Sequence, residues 1–85
     1  MTLKELSLKY ILKSERVFNG MKILQGPMHI SEENVKEVIE EAKRYFEDAK
    51  FYLGKEKLET SLASIAYCEG LLDALRMLGF VEFSW

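Results

Sequence analysis

Apolar residues recur at intervals of three and four along most of this chain, the spacing of one face of an α-helix, and a single cluster of breakers interrupts them. Thr2 and Glu5 form a T-x-x-E capping box at the head of the first stretch. Leu3, Leu6, Tyr10, Val17, Met21 and Leu24 then fall near heptad spacing, which predicts a helix over about residues 3–23. Lys13 interrupts that stripe, and Leu8, Ile11, Leu12 and Phe18 lie outside it, so this helix carries more apolar surface than one face requires. The breakers sit in "QGPMHIS", residues 25–31, where Gly26 and Pro27 stop one helix and Ser31 can cap the next.

After Ser31, Glu32 and Glu33 occupy a first turn, where carboxylates complement the positive end of the helix dipole. Val35, Val38, Ile39, Ala42, Tyr45, Phe46, Ala49, Tyr52 and Leu53 form the clearest amphipathic pattern in the chain and predict a helix over about 32–53. Gly54 is a good left-handed C-cap residue, and the short polar turn "GKEKLE" implies an antiparallel hairpin with a third helix over about 57–78. That helix has Leu58, Leu62, Ile65, Leu72 and Leu75 on its main apolar arc. Ala63, Ala66, Gly70 and Ala74 lie on another side, where small residues let a neighbouring helix approach. Gly79 closes it, and "FVEFSW" follows as a tail that can extend or pad the end of the bundle. The expected fold is all-α: one domain over 1–85, an antiparallel up-down-up three-helix bundle with a short C-terminal tail.

Composition narrows the function classes. At 85 residues the chain holds one core and no cleft between domains. Twelve basic against fourteen acidic side chains give a net charge of -2, with the bases spread among the acids, which disfavours nucleic-acid backbone as a partner. A single cysteine, Cys68, excludes an intramolecular disulfide and suits a reducing cytoplasm. With one histidine it cannot make a Cys/His zinc site unaided. No apolar run approaches a membrane span, and "MTLKELSLKY" carries charge too early for a signal peptide, so neither membrane insertion nor export is expected.

Candidate chemistry is confined to "YCEGLLDALRMLG", residues 67–79. Glu69, Asp73 and Arg76, spaced by four and three, form a row beside the buried arc, where an unpartnered carboxylate costs several kcal/mol. One reading makes Glu69 and Asp73 ligands of Mg²⁺ or Mn²⁺, with Glu40 or Glu41 of the second helix completing the shell. This loosely resembles the all-α nucleoside triphosphate pyrophosphohydrolases. Those enzymes have an E-x-x-D step where this chain has E-x-x-x-D, and here Lys36 and Lys43 alternate with the acids. The other reading is a structural polar network: Arg76 pairs with Asp73 or Glu69, Arg44 or Lys43 reaches Glu69 across the hairpin, and Asp48 caps or pairs near its end. His29 stands in the breaker loop with no second ligand or nucleophile near it. No catalytic residue and no cofactor are expected on the second reading.

"YFEDAKFYL" followed by "SLASIAYCEGLLDALRMLG" resembles the small, mostly archaeal family known as Domain of Unknown Function 357. Tyr45, Asp48 and Ala49 match its first motif, and Tyr67, Glu69, Gly70, Leu72, Asp73 and Ala74 match its second. The resemblance spans roughly residues 35–79 and implies a three-helix bundle, an archaeal cytoplasmic setting and no established activity. The expectation is therefore a non-catalytic interaction or scaffold module that pairs as a homodimer or with another protein. Its partner surface is expected among Leu8, Ile11, Leu12, Phe18, Phe80, Phe83 and Trp85, more apolar side chains than a core of this size absorbs.

Overall fold

A computed structural model describes residues 1–24 and 30–85. The Gly26–Pro27 break and His29 lie outside the described residues. Three helices make the fold: α1 (Leu3–Gly20), α2 (Glu32–Gly54) and α3 (Leu58–Met77). Between α1 and α2 lies a two-residue strand β1 (Lys22–Ile23), and after α3 comes β2 (Val81–Glu82). The molecule is an all-α three-helix bundle with one small pair of strands. Helix starts follow local chemistry. The Thr2 hydroxyl accepts the Glu5 N–H at 3.1 Å, and the Ser31 hydroxyl accepts that of Asn34 at the same distance.

The helix ends α2 and α3 use the same device. At the first, Lys57 N donates to the Tyr52 carbonyl and Glu56 N to that of Leu53; at the second, Phe80 N donates to Leu75 and Gly79 N to Arg76. Both are Schellman motifs, which require one residue in the left-handed region. Gly79 supplies it at φ 82°, as expected. At the hairpin, however, the left-handed residue is Glu56, at φ 60°, and Gly54 is still helical.

The first helix is shorter than its apolar spacing suggests. It stops at Gly20, and Met21 turns extended at φ −74°, ψ 138°. Lys22 and Ile23 then pair antiparallel with Glu82 and Val81. Leu24 N donates to the Phe80 carbonyl at 2.8 Å, so the tail is both a strand and a cover. Its face toward the bundle also differs. Ser7, Ile11, Ser14 and Val17 are buried, whereas Leu3 and Leu24 are exposed. A hydropathy pattern gives no weight to serine, yet two serines hold half of this face.

Those serines explain the packing of α1. The Ser7 and Ser61 hydroxyls hydrogen-bond to each other, and Ser61 donates onward to the Ala49 carbonyl of α2 at 2.8 Å. Lys4 pairs with Glu56, Ser7 with Ser61, and Lys13 with Glu69, so partner numbers rise together and α1 runs parallel to α3. The α2–α3 hairpin forms the antiparallel pair. The core has two clusters. Ile11, Val17, Ala42, Phe46, Ala49, Ile65, Cys68 and Leu72 form one; Val35, Ile39, Leu75, Phe80 and Val81 form the other, under the strand pair.

Most of the supposed surplus apolar side chains are consumed here. Ile11 and Phe80 are buried, and Phe18 stands edge-on to Phe46 at 5.4 Å. Phe83 and Trp85 pack edge to face at 5.0 Å against the first cluster. Ile11 and Phe80 are therefore spent in the core, while Phe18, Phe83 and Trp85 are half-buried against it. Only Leu8 and Leu12 of that set remain exposed.

Candidate functional site

The charged row of α3 lies along the seam where α1, α3 and the tail meet. Glu69 Oε1 is buried and faces Lys13 Nζ of α1 at 3.6 Å, with both side chains 23% exposed. Among the described residues no hydrogen bond reaches that oxygen, so the ion pair alone answers its charge. Lys13 is held in turn by two rings, with its ammonium 4.6 Å from the centroid of Tyr10 and 5.1 Å from that of Trp85. Asp73 Oδ1 accepts the Trp85 indole N–H at 2.6 Å and an Arg76 N–H at 3.2 Å. The Arg76 guanidinium also covers Phe83, 5.6 Å from its centroid. Each charge therefore fastens one element to another: Glu69 holds α1, and Asp73 holds the tail.

The second-helix acids stand apart from this seam. Glu40 pairs with Lys43 at 3.5 Å and Glu41 with Arg44 at 2.6 Å, both on the exposed face of α2. Arg44 also reaches Asp48 at 3.9 Å. Its hydrogen bond holds the Glu41 carboxyl below the usual carboxylate range and raises the guanidinium's own affinity for its proton. Among the described residues no three His, Cys, Asp or Glu side chains are grouped as cation ligands would be. The expected crossing of Glu40 or Glu41 to Glu69 and Asp73 is not made. Nor does Arg44 or Lys43 reach Glu69, whose partner comes from α1. Lys13 interrupts the apolar stripe between Tyr10 and Val17, and that place is itself the signal for an inward-facing base.

Cys68 is fully buried beside the same seam. Burial, reinforced by the negative charge of Glu69, pushes its thiol up to about 12 against the slight opposing effect of the Ser14 hydroxyl. This is an inert packed side chain and not a nucleophile.

A family model described as "Protein of unknown function (DUF357)" matches residues 9–81. The chain belongs to the DUF357 family. The match takes in most of α1, all of α2 and α3 and the start of β2, a longer span than the hairpin motifs alone. No curated protein and no solved structure matches this DUF357 chain. No helix among its described residues is long and apolar enough to cross a membrane.

One surface of this DUF357 bundle has no counterpart in the site residues read from sequence. The outward face of α3 is Ala63, Ala66, Tyr67, Gly70, Ala74 and Met77, all exposed, with Tyr67 at 64% and Met77 at 81%. The small residues expected to admit a neighbouring helix face away from α1 and α2, and a Cβ added at Gly70 would meet nothing within 4 Å. Tyr67 stacks on Tyr45 of α2, centroids 5.2 Å apart and rings 18° from parallel. This leaves the two tyrosines as a flat aromatic ledge at the edge of that face.

Proposed function

We propose that this chain is a non-catalytic protein-interaction or scaffold module of an archaeal cytoplasmic protein. The observation that carries the reading is the contrast between its helix faces. On α2 the outward side is charged along its whole length, with Glu32 paired to Lys36, Glu40 to Lys43, Glu41 to Arg44 and Glu47 to Lys50, as on a solvated surface. α1 exposes Leu8 and Leu12, and α3 exposes an uncharged face from Ala63 to Ala74. A helix without charge on its outward side is ordinarily covered. The cytoplasmic setting rests on the single cysteine, which can form no disulfide within the chain. The archaeal setting rests on the family resemblance alone. Nucleic acid and membrane are left out as partners, because among the described residues no basic face or basic amphipathic stripe offers either one a footing.

The competing reading, a small metal-dependent enzyme or nucleotide binder using Glu69 and Asp73, makes an opposite prediction in one measurement. Thermal melts of the wild type and of Glu69→Gln are recorded with Mn²⁺, Mg²⁺ and a panel of nucleotides. A ligand at a hundred times its dissociation constant adds ~2.7 kcal/mol, a rise of roughly 10 °C or more in a domain this small. The interaction reading expects no such rise and a lower melt for Glu69→Gln, which leaves Lys13 without its partner. A rise seen in the wild type and lost in the variant would overturn it.

A further inference from the structure

Leu8 and Leu12 stand 45% and 50% exposed on the outward side of α1. Around them are Glu5, Lys9, Glu15 and Arg16, all exposed, and among the described residues none of these four has an ion-pair partner. On α2 four lysines and arginines are paired along the helix, and among the described residues only acids, Glu33 and Glu37, stand without an ion pair, whereas the four on α1 are of both signs. An apolar centre framed by unanswered charges of both signs is the pattern of an interface rim around a core.

The spacing says which partner fits. Glu5 and Arg16 are eleven residues apart, which is ~1100° of helical rotation, or three turns and ~20°. Both therefore lie on the same edge of the leucine face, ~16 Å apart along the axis. Their midpoint falls between residues 10 and 11, and the midpoint of Leu8 and Leu12 is residue 10. The charge pair and the leucine pair thus share one centre. A two-fold axis through that centre, perpendicular to α1, sets each Glu5 level with Arg16 of the other copy and each Leu8 beside the other copy's Leu12. Under such an axis the same edges meet, so an acid and a base placed symmetrically on one edge complement themselves.

From this we infer that the outward face of α1 binds a second copy of the same chain, antiparallel, with four leucines at the centre and two reciprocal Glu5–Arg16 ion pairs at the rim. The inference rests on the interaction-module reading and gives it a partner. A single-helix contact lies below the ~800 Å² per partner of a standard interface, so the dimer forms in a concentration-dependent way.

Sedimentation equilibrium of the full chain from about 10 μM to 1 mM tests it, with Glu5→Arg, Arg16→Glu and the double swap measured beside the wild type. The expected result is a wild-type mass that climbs toward two chains. Each single swap weakens association about tenfold or more, because it sets like charges together at both rims, and the double swap restores it. Leu12→Gln, at a half-exposed position, should abolish the dimer with little change in melting temperature, which keeps the test open should a charge swap impair folding. A wild type that stays monomeric overturns self-pairing, as does a dimer indifferent to the swaps or weakened by both with no recovery in the double variant. None of these outcomes bears on Mn²⁺ or nucleotide binding, so the interaction reading stands or falls on the melts and self-pairing on the masses.

Discussion

Asp73 is the residue on which the end of the chain depends. Its Oδ1 takes the indole N–H of Trp85 at 2.6 Å while Arg76 steadies it from the same helix. A hydrogen bond to a carboxylate stabilises by ~1.5–3 kcal/mol in general, and the part-exposed setting here brings that nearer to ~1. Asp73→Ala should lower the melting temperature by about 4 to 8 °C. Because Trp85 is the only tryptophan, its emission reports the tail directly and should shift to the red in that variant. An unchanged spectrum would mean that packing alone holds the ring. At Cys68 the consequence is one of pH. Its thiol is raised from the ordinary 9.0 to about 12, so the folded chain keeps the proton that the unfolded chain gives up. The stability it contributes is complete below pH 9.0 and is lost as pH rises through that window toward 12. Denaturant midpoints of wild type and Cys68→Ala should diverge less and less from pH 8 to pH 11, and a thiol reagent at pH 8 should label the native chain only through unfolding.

The two Schellman ends of α2 and α3 make a comparison within one molecule. Gly79 adopts the left-handed conformation freely, whereas Glu56 does so against its own Cβ, at roughly 1 kcal/mol. Its exposed ion pair with Lys4, at 3.0 Å, offsets only part of that. Glu56→Gly should therefore raise the melting temperature by a few degrees, and Gly79→Ala should lower it by a similar amount. A fall with Glu56→Gly would show that the link to Lys4 outweighs the strain. Helix caps were legible because a hydroxyl or glycine acts through residues three to six positions away. The strand pair was not, since two residues of β1 meet two of β2 across some sixty positions and no local pattern marks either.

For the molecule as a whole, small buried polar groups join α1 to both other helices, beside the packing of Ile11 and Val17. Ser61 links Ser7 of α1 to the Ala49 carbonyl of α2, all of it buried. Ser61→Ala leaves the Ser7 hydroxyl without a partner and should cost ~1–3 kcal/mol. Ser7→Ala added to it should cost little more, because the unsatisfied group is then gone. Additive losses in a denaturant-unfolding cycle would mean that the two serines act separately. The acidic row belongs to this scale too. Glu69 and Asp73 were recognisable as charges that needed answers, since their spacing set them beside the buried arc. Arg76, three residues on, was a legible partner for Asp73, whereas Lys13 and Trp85 come from opposite ends of the chain, and spacing alone does not say which charge either one meets.

Three helices, most of their caps and the hairpin of the second and third follow from the order of residues alone, because periodicity, capping and turn chemistry act over a few positions. The tertiary structure decided which apolar side chains stay exposed. Ile11 is buried between the three helices and Phe18 lies against Phe46, while Phe80, Phe83 and Trp85 pack on the bundle where the tail returns beside Lys22 and Ile23. The tertiary structure also set Glu69 against Lys13 of α1 and Asp73 against Trp85 of the tail, and it left Leu8, Leu12 and the Ala63–Met77 face outward. Which surface is covered depends on how separate helices meet, and that is settled by the summed packing of the whole chain.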